Sequence, residues 1–318
     1  MVLGEDGGVE GGGVEVWRGS VATWECDAMG HLNVGFYVAK AMEGLTALAA
    51  ELGMVRAFAP DARATLIVRE QHIRFLREAR PGMALTMVGG IIAMGESSAR
   101  LIFLLRHADG GLAASFQTLV DHVTARDARA FPWPARVLAR SEALRLAVPP
   151  QAAPRSIGLT PVKSRGSLAR ANQLGLGRTG LGAVRAGDCD PFGRMRTELM
   201  MARISDGIPH LMQARSPSGE RGGEAGAARL GGAALEYRLI HLDWPRAGDR
   251  VELRSGAAGG DARFRRFVHW LLDPDSGRAW GVAEAIAVSF DLQTRKIVTL
   301  DDEALAQANA QVVKGLTL

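Results

Sequence analysis

The feature that most constrains this chain is an internal repeat. The segment ECDAMGHLN at 25–33 has a counterpart in DCDPFGRMR at 188–196, and both contain Cys-Asp followed, after two residues, by Gly. Asp27 thus corresponds to Asp190. Two later turn glycines also recur at nearly the same offset along the chain: Gly82 with Gly248, and Gly111 with Gly277. Three landmarks in one order at nearly one spacing indicate two copies of one structural unit.

Each copy has the same predicted order of secondary structure: a short strand, the Cys-Asp loop, a helix and four strands. Apolar residues at helical spacing predict an enclosed helix over Val34–Leu52, with Asn33 as its N-cap and Gly53 just past its end. The second helix is predicted over 196–213, where Pro209 is expected to kink or shorten it. Strands are predicted at 16–24, 64–76, 83–94, 98–107 and 112–123, and the second copy begins with a strand at 179–187.

These landmarks divide the chain of 318 residues into two domains. We predict a flexible leader at 1–13, a first domain at 14–140, a linker at 141–170, a second domain at 171–302 and a C-terminal tail at 303–318. A glycine-rich stretch at 216–232 is predicted to be a long loop inside the second copy. The fold class is α+β, because a meander of antiparallel strands buries a long apolar helix most simply by wrapping around it.

The charge balance and the cysteines exclude several classes of protein. With 38 basic and 34 acidic residues the formal net charge is +4, and no run of like charges forms a basic arm, so nucleic acid is not predicted as a partner. No apolar run reaches the roughly 18 residues that span a bilayer, and the first residues lack the pattern of a signal peptide. Cys26 and Cys189 stand in matching loops, which argues against a disulfide between them. We expect a cytoplasmic protein without membrane association.

A second constraint comes from the polar residues that precede the first helix. The motif Asp-x-x-Gly-His-x-Asn-x-x-x-Tyr consists of Asp27, Gly30, His31, Asn33 and Tyr37. It resembles the acyl-CoA and acyl-ACP thioesterases of the hotdog fold, and GDCDPFG at 187–193 resembles the active-site loop of their 4-hydroxybenzoyl-CoA thioesterase branch. The resemblance covers most of the chain. It implies two tandem hotdog domains, each an antiparallel sheet wrapped around a central helix, packed as an intramolecular pseudo-dimer.

The resemblance assigns roles to residues of the first loop. The family's catalytic aspartate corresponds to Asp27. The histidine that plant-type acyl-ACP thioesterases carry four residues after this aspartate corresponds to His31. The asparagine that those enzymes carry two residues after the aspartate is replaced by Met29, and Asn33 could supply an amide in its place. The resemblance therefore implies Asp27, His31 and Asn33 as catalytic residues, with one departure from the family pattern.

The second loop departs further from that pattern. Its aspartate is Asp190, but Arg194 stands where the first copy has His31. Because the 4-hydroxybenzoyl branch also lacks the histidine, Asp190 stays a candidate catalytic residue, either in a second active site or as a relic. Gly193 and Arg194 are then candidate substrate contacts.

Thioester hydrolysis needs an activated water or an attacking carboxylate, and a group that stabilises the developing oxyanion. Asp27 could act as general base or nucleophile, and His31 could orient the water or protonate the leaving thiolate. The N–H groups from Gly30 to Asn33 are expected to polarise the carbonyl, with the positive end of the helix dipole behind them. Gly30 would let the substrate approach the backbone, and Tyr37 would line the acyl group.

Each of these residues also has an interpretation without chemistry. Asp27 could simply stabilise the start of the helix, His31 could cap or pack, and Asn33 is a good cap in its own right. Glu43 could reach a site, but Lys40 precedes it by three residues, so a solvated ion pair between them is the simpler interpretation.

The predicted function is hydrolysis of an acyl-CoA or acyl-ACP thioester to free acid and thiol, within fatty acid metabolism. No metal or cofactor is predicted, and CoA enters only as part of the substrate. Two alternatives stay open: a hotdog enoyl-CoA hydratase or dehydratase, and a non-catalytic protein that binds acyl thioesters. Association of pseudo-dimers into a homo-oligomer is also left open.

Overall fold

The computed structural model describes residues 12–164, 166–215, 230–291, 293–294 and 296–318. The chain forms two units, the first made of Met1–Pro154 and Gly187–Met201, and the second of Arg155–Ala186 and Ala202–Leu318. The loop that contains Asp190 thus groups with the first unit. The leader at 1–13 and the loop at 216–232 lie largely outside the described residues, so both stay predictions.

The first unit contains a five-stranded antiparallel sheet and a long helix. Its strands are β1 (Val14–Ser20), β2 (Ala64–Phe75), β3 (Ala84–Met94), β4 (Ser98–His107) and β5 (Leu112–Thr124). They lie in the order β1-β3-β4-β5-β2. Helix α1 (Val34–Glu51) follows β1 in the chain and packs on β1 and β3, and helix α2 (Ala135–Ala143) follows β5. The predicted positions of β2 to β5 are confirmed to within one residue.

The ends of α1 are also confirmed, whereas the end of β1 was predicted too late. The Oδ1 atom of Asn33 accepts the N–H of Gly35 at 2.9 Å, as an N-cap does, and Gly53 has φ +82° just past the helix. The first strand stops at Ser20, because residues 23–25 form a short 3-10 turn in which the Glu25 carboxylate accepts the N–H of Ala22.

The second unit repeats this arrangement. Its strands are β6 (Arg178–Ala183), β7 (Leu230–His241), β8 (Arg250–Gly260), β9 (Arg265–Leu272) and β10 (Ala279–Asp291), in the order β6-β8-β9-β10-β7. The helices of the second half of the chain are α3 (Leu168–Gln173), α4 (Glu198–Arg215) and α5 (Asp302–Ala310). Helix α4 continues through Pro209 to its end, so the predicted shortening is wrong. The single hydrogen bond that proline removes is outweighed by buried neighbours such as Ile204 and Leu211.

A glycine at the same place in each copy lets the long helix lie close to its sheet. A Cβ atom added to Gly44 of α1 would lie 2.9 Å from the Met87 sulfur. One added to Gly207 of α4 would lie 2.7 Å from a methyl of Leu253 and 3.1 Å from the Thr179 carbonyl oxygen. Both distances to side chains are shorter than real Cβ contacts, so a larger residue would force Met87 or Leu253 to shift. Glycine lets each helix lie close to its strands without that shift.

The face of each sheet that points away from the long helix is covered as well. In the first unit, Ile102 and Leu104 of β4 pack against Ala152 and Leu146. In the second unit, three residues of β9 pack with residues before β6 and after α5: Val268, Trp270 and Leu272 with Ala171, Leu176, Leu316 and Leu318. The predicted linker therefore packs on a sheet at its first end rather than hanging free. Within the described parts of the chain, no helix is long and apolar enough to cross a membrane.

Candidate active-site loop and its counterpart

The loop before α1 folds into a tight turn. The N–H of Asp27 donates to the carbonyl of His31 at 2.9 Å, and the N–H of Gly30 donates to the carbonyl of Asp27 at 3.0 Å. Cys26 and Leu32 pair as an isolated β-bridge that closes the loop. Gly30 has φ +77°, and a Cβ added there would meet no described atom within 4 Å. The turn therefore fixes Asp27 and leaves open space at Gly30.

The carboxylate of Asp27 is held by two kinds of donor. Its Oδ2 lies 3.0 Å from Nδ1 of His31, and its Oδ1 accepts the N–H of Met29 at 2.8 Å. Burial raises the pKa of Asp27, but the hydrogen bond and charge of His31, with the N–H groups of Met29 and His31, outweigh burial, so its pKa lies below the ordinary 3.8. Asp27 is thus an ionised carboxylate at neutral pH, and its side chain keeps 24% of its surface exposed.

His31 presents one nitrogen to Asp27 and keeps the other without a protein partner. Its side chain is 14% exposed, and its Nε2 atom is buried with no hydrogen-bond partner among the described residues. When Nδ1 carries the proton that bonds to Asp27, Nε2 is an acceptor, a tautomer assigned here from the contact. The pair therefore combines an ionised carboxylate with a nitrogen that can accept a proton.

Asn33 and Tyr37 connect this loop to its surroundings. Asn33 caps α1, as predicted. Tyr37 is 5% exposed, its hydroxyl accepts the N–H of Ala79 at 3.2 Å, and its ring stands edge-on to Phe75 with 5.2 Å between centroids. Burial raises the pKa of Tyr37 to about 12. Tyr37 thus ties α1 to the segment before β3, and its contact with an acyl group stays a prediction.

Most N–H groups expected to polarise the substrate carbonyl are already used. Gly30 donates to the carbonyl of Asp27, Leu32 to that of Ala79 at 2.8 Å, and Asn33 to that of Glu25 at 2.9 Å. That expectation is wrong for these three groups, because the turn itself consumes their hydrogen bonds. The N–H of Val34, the first residue of α1, has no acceptor in the described part of the chain. It is the first-turn donor that stays available to a ligand.

A buried ion pair that the sequence did not reveal holds the loop to the helix. Lys40 of α1 is 4% exposed, its Nζ lies 2.7 Å from Oε1 of Glu25, and it sits 5.0 Å from the ring centre of Trp17. The Trp17 indole N–H donates to Glu43 at 3.0 Å. The predicted solvated pair of Lys40 and Glu43 is therefore wrong. Lys40 turns inward to the loop, where the Glu25 carboxylate compensates its buried charge.

The duplication contained a signal for this ion pair. When Asp27 is aligned with Asp190, Glu25 falls on Asp188 and Lys40 falls on Arg203. An acid before the aspartate of the loop and a base inside the helix therefore occur in both copies. A search for charged residues shared by the copies within apolar surroundings would have found them.

The second loop repeats the turn with a different partner for its aspartate. The N–H of Asp190 donates to the carbonyl of Arg194 at 2.7 Å, and Gly193, with φ +79°, donates to the carbonyl of Asp190 at 3.0 Å. Oδ1 of Asp190 accepts the N–H of Phe192 at 2.8 Å, and Oδ2 lies 3.0 Å from Nε of Arg194. Arg194 is 4% exposed. Since its guanidinium stays charged, Asp190 is held in an ion pair that cannot pass a proton.

The cysteines of the two loops and any metal-binding groups are the last candidates for chemistry. Cys26 and Cys189 are both free. Burial is the largest of the influences that raise the pKa of the Cys26 thiol, followed by the charges of Asp27 and Glu25. Within the residues that the structure describes, no group of three or more His, Cys, Asp or Glu side chains could hold a metal ion.

Comparison with known proteins identifies the family. A family model described as the thioesterase-like superfamily matches residues 21–141 and, a second time, residues 184–308. The chain belongs to the thioesterase-like superfamily. The two matches coincide with the two copies seen in the sequence, and each contains one of the aspartate loops. No curated protein matches this superfamily member.

Solved structures resemble this superfamily member over most of its length. A protein of Lactobacillus plantarum, assigned provisionally as an oleoyl thioesterase, is 14% identical, with a TM-score of 0.64 over 90% of this chain and 96% of its own. The 12:0-ACP thioesterase of Umbellularia californica is 13% identical, with a TM-score of 0.62 over 86% and 93%. An acyl-ACP thioesterase of Bacteroides thetaiotaomicron VPI-5482 is 12% identical, with a TM-score of 0.61 over 85% and 96%. At these identities the likeness shows the fold, and the prediction of two tandem hotdog domains is confirmed.

Proposed function

We propose that this member of the thioesterase-like superfamily hydrolyses an acyl thioester, and that its first loop does the chemistry. The observation that carries the proposal is the 3.0 Å contact between Asp27 Oδ2 and His31 Nδ1, made by a partly exposed carboxylate whose pKa lies below its ordinary value. A carboxylate and an imidazole in contact form the pair that general acid–base or nucleophilic catalysis requires.

Two routes are open to Asp27. As general base, the Asp27–His31 pair takes a proton from the attacking water and returns it to the thiolate that leaves. As nucleophile, Asp27 attacks the carbonyl carbon and forms an acyl anhydride while the C–S bond breaks and the thiolate leaves. Water then hydrolyses the anhydride, which frees the acid and the Asp27 carboxylate, and the proton that water releases goes to the thiolate. In both routes the carbonyl oxygen becomes an oxyanion, and we propose that the N–H of Val34 and the positive end of the α1 dipole stabilise it.

The substrate we propose is an acyl group carried on CoA or on acyl carrier protein. Two structural neighbours are named as acyl-ACP thioesterases, which favours a carrier-bound thioester. The open space at Gly30 lets the thioester approach the loop backbone. On this proposal the reaction belongs to cytoplasmic fatty acid metabolism, and CoA or carrier protein leaves as the free thiol.

We assign hydrolysis to the first loop and not to the second. Asp190 bonds to a guanidinium, which cannot accept or donate a proton at working pH, so the second loop lacks the relay that His31 supplies. Its ion pair instead stabilises the turn, with Gly193 and Arg194 as parts of that turn.

The test is thiol release from a panel of acyl-CoA and acyl-ACP substrates. Asp27→Asn should lower kcat by about a thousandfold, within the roughly 10²–10⁴-fold that a positioned general base contributes. Asp190→Asn, the matched control, should change kcat by less than about twofold when assayed where the variant is folded. Unaltered kcat in Asp27→Asn would remove Asp27 from the mechanism. Loss of enoyl-CoA absorbance without thiol release would instead establish a hydratase.

A single-turnover experiment in water labelled with oxygen-18 separates the two routes. In the nucleophile route, water that attacks Cγ of Asp27 in the anhydride places the label in the Asp27 carboxylate, where mass spectrometry of its peptide detects it. In the general-base route the label enters only the released acid.

A further inference from the structure

One tryptophan beside the first loop differs from others in the chain. Trp24, in the 3-10 turn at 23–25, has 82% of its surface exposed. Its indole N–H has no hydrogen-bond partner in the described part of the chain. Four other tryptophans donate their indole N–H to protein oxygens at 3.0–3.2 Å: Trp17, Trp133, Trp270 and Trp280. An indole that is neither buried nor bonded contributes little to the stability of the fold.

The turn presents Trp24 on an anchored backbone. The side chain of Glu25, the next residue, bonds to Lys40 at 2.7 Å, and the Glu25 carbonyl accepts the N–H of Asn33 at 2.9 Å. Asp27 follows Trp24 by three residues, so their Cα atoms lie at most about 11 Å apart. The exposed indole is therefore held close to the Asp27 carboxylate, at the start of α1.

The second copy forms the same turn without the tryptophan. Gly187 occupies the place of Trp24, in a 3-10 turn at 186–188. The equivalent backbone bond closes this turn, from the N–H of Arg196 to the carbonyl of Asp188 at 2.9 Å. A Cβ added to Gly187 would meet no described atom within 4 Å, so packing does not require glycine there. The turn thus forms with either residue, and the tryptophan stands only beside the loop to which we assign hydrolysis.

We propose that Trp24 binds the pantetheine arm of the acyl thioester, the part that CoA and acyl carrier protein share. Pantetheine alternates methylene groups with amides, and an indole offers a matching apolar face and an N–H donor for an amide oxygen. An acyl chain gains most from buried apolar surroundings, so the exposed indole suits the half of the substrate that leaves as the thiol. The inference rests on the proposed function, which brings a thioester to Asp27.

The test compares one acyl group carried on three small thiols: N-acetylcysteamine, pantetheine and CoA. Trp24→Ala should lower kcat/KM about fivefold for the acyl-pantetheine and acyl-CoA thioesters, the size expected for the loss of one aromatic contact. The N-acetylcysteamine thioester lacks most of the arm and should react with wild type and Trp24→Ala at the same kcat/KM. Gly187→Trp, the matched control, adds an exposed indole at the second loop and should keep the wild-type kcat/KM with all three.

Three results would overturn the role of Trp24. An equal loss of kcat/KM with all three thioesters would place the indole against the acyl group. A loss confined to acyl-ACP would place it against the surface of the carrier protein. Unchanged kcat/KM with every substrate would show that Trp24 does not touch the substrate.

A binding measurement separates this inference from the proposed function. Titration of Asp27→Asn with CoA should change the tryptophan fluorescence, because the indole of Trp24 passes from water to contact with the arm. Adding Trp24→Phe to this variant should remove most of the change, and an undiminished change would contradict the contact. Absence of thiol release by wild type would refute the proposed function alone, since the fluorescence change does not depend on hydrolysis.

Discussion

The two aspartate loops share a backbone turn and differ in the side chain that contacts the aspartate. In both, the aspartate N–H bonds to the carbonyl four residues on, Oδ1 accepts the N–H two residues on, and a glycine with positive φ follows (+77° at Gly30 and +79° at Gly193). In both, Oδ2 lies 3.0 Å from the side chain four residues on. That side chain is His31 in one loop and Arg194 in the other.

This difference separates what the turn needs from what the chemistry needs. The turn needs a hydrogen-bond donor at the fourth position, and both imidazole and guanidinium provide one. Proton transfer needs a group that can both accept and release a proton, which imidazole can do and guanidinium cannot. The second loop is therefore an internal control for the first: the same turn geometry without the imidazole.

The cores beneath the two long helices differ in polarity. In the first unit, Val16 is the bulged residue of β1 and lies against Gly89 of β3. Gly89 in turn pairs with Phe103 of β4. In the second unit, the corresponding residues are Thr179, Ser255 and His269. They form a buried chain of hydrogen bonds, 2.9 Å between the hydroxyls and 2.8 Å from Ser255 to His269. One copy thus packs its helix on apolar side chains and the other on a polar network.

The largest effect is expected from breaking the ion pair that holds the first loop to α1. Lys40→Met leaves the Glu25 carboxylate, with 14% of its side chain exposed, without its partner. Because an uncompensated buried charge costs about 3–5 kcal/mol, the free energy of unfolding in urea should fall by about 3 kcal/mol. Lys40→Arg, which copies the base of the second half, should retain most of the stability. A loss as small as about 0.5 kcal/mol in Lys40→Met would show that the pair does not hold the loop.

The next largest effect is expected from replacing the imidazole of the first loop by the guanidinium of the second. His31→Arg keeps the hydrogen bond to Asp27 but removes the proton relay, so kcat should fall about a hundredfold. Since Arg194 shows that arginine fits this turn, the melting temperature should change little. The reciprocal Arg194→His tests whether a relay alone creates a second site. If His31→Arg kept the wild-type kcat, Asp27 would act without a proton relay from His31.

A smaller effect is expected from the polar core of the second unit as pH falls. Burial lowers the pKa of His269 from 6.5 to about 4. The unfolded chain then binds a proton near pH 6.5 that the folded chain refuses until about pH 4, so stability is full above pH 6.5 and is lost below it. Between pH 7 and pH 5 this residue should lower the free energy of unfolding by about 2 kcal/mol.

A triple variant of the second unit carries, beneath its long helix, the residues found at the same places in the first unit. Thr179→Val, Ser255→Gly and His269→Phe together should remove this part of the pH dependence when urea unfolding is followed from pH 7 to pH 5. An identical pH profile in the triple variant would show that another group, and not His269, causes the loss.

Most of the fold could be predicted from the sequence, because the signals that mark helices, strands and turns lie within a few neighbouring residues. Turn glycines such as Gly82 and Gly111 helped to locate β2 to β5, and an asparagine before an apolar run located the start of α1. Contacts between distant segments carried no local mark: nothing near Lys40 in the sequence indicates that it reaches back to Glu25, and only the comparison of the two copies offers that signal. Nor does the loop sequence show that Gly30, Leu32 and Asn33 use their N–H groups within the protein, because their acceptors are set by the folded turn.

The smallest effect is expected from replacing the two turn glycines. Comparing the two variants separates backbone strain from access of the substrate to the first loop. Gly30→Ala and Gly193→Ala each force a side chain into a left-handed backbone conformation, at a cost of about 1 kcal/mol that urea unfolding should measure in both. At Gly30 the new methyl meets no described atom within 4 Å, so no packing clash adds to that cost. If the thioester approaches the backbone at the first loop, only Gly30→Ala should raise KM, by about threefold, while Gly193→Ala keeps the wild-type value. Equal KM values in the two variants would mean that the space at Gly30 is empty during the reaction, and that the substrate reaches Asp27 from another side.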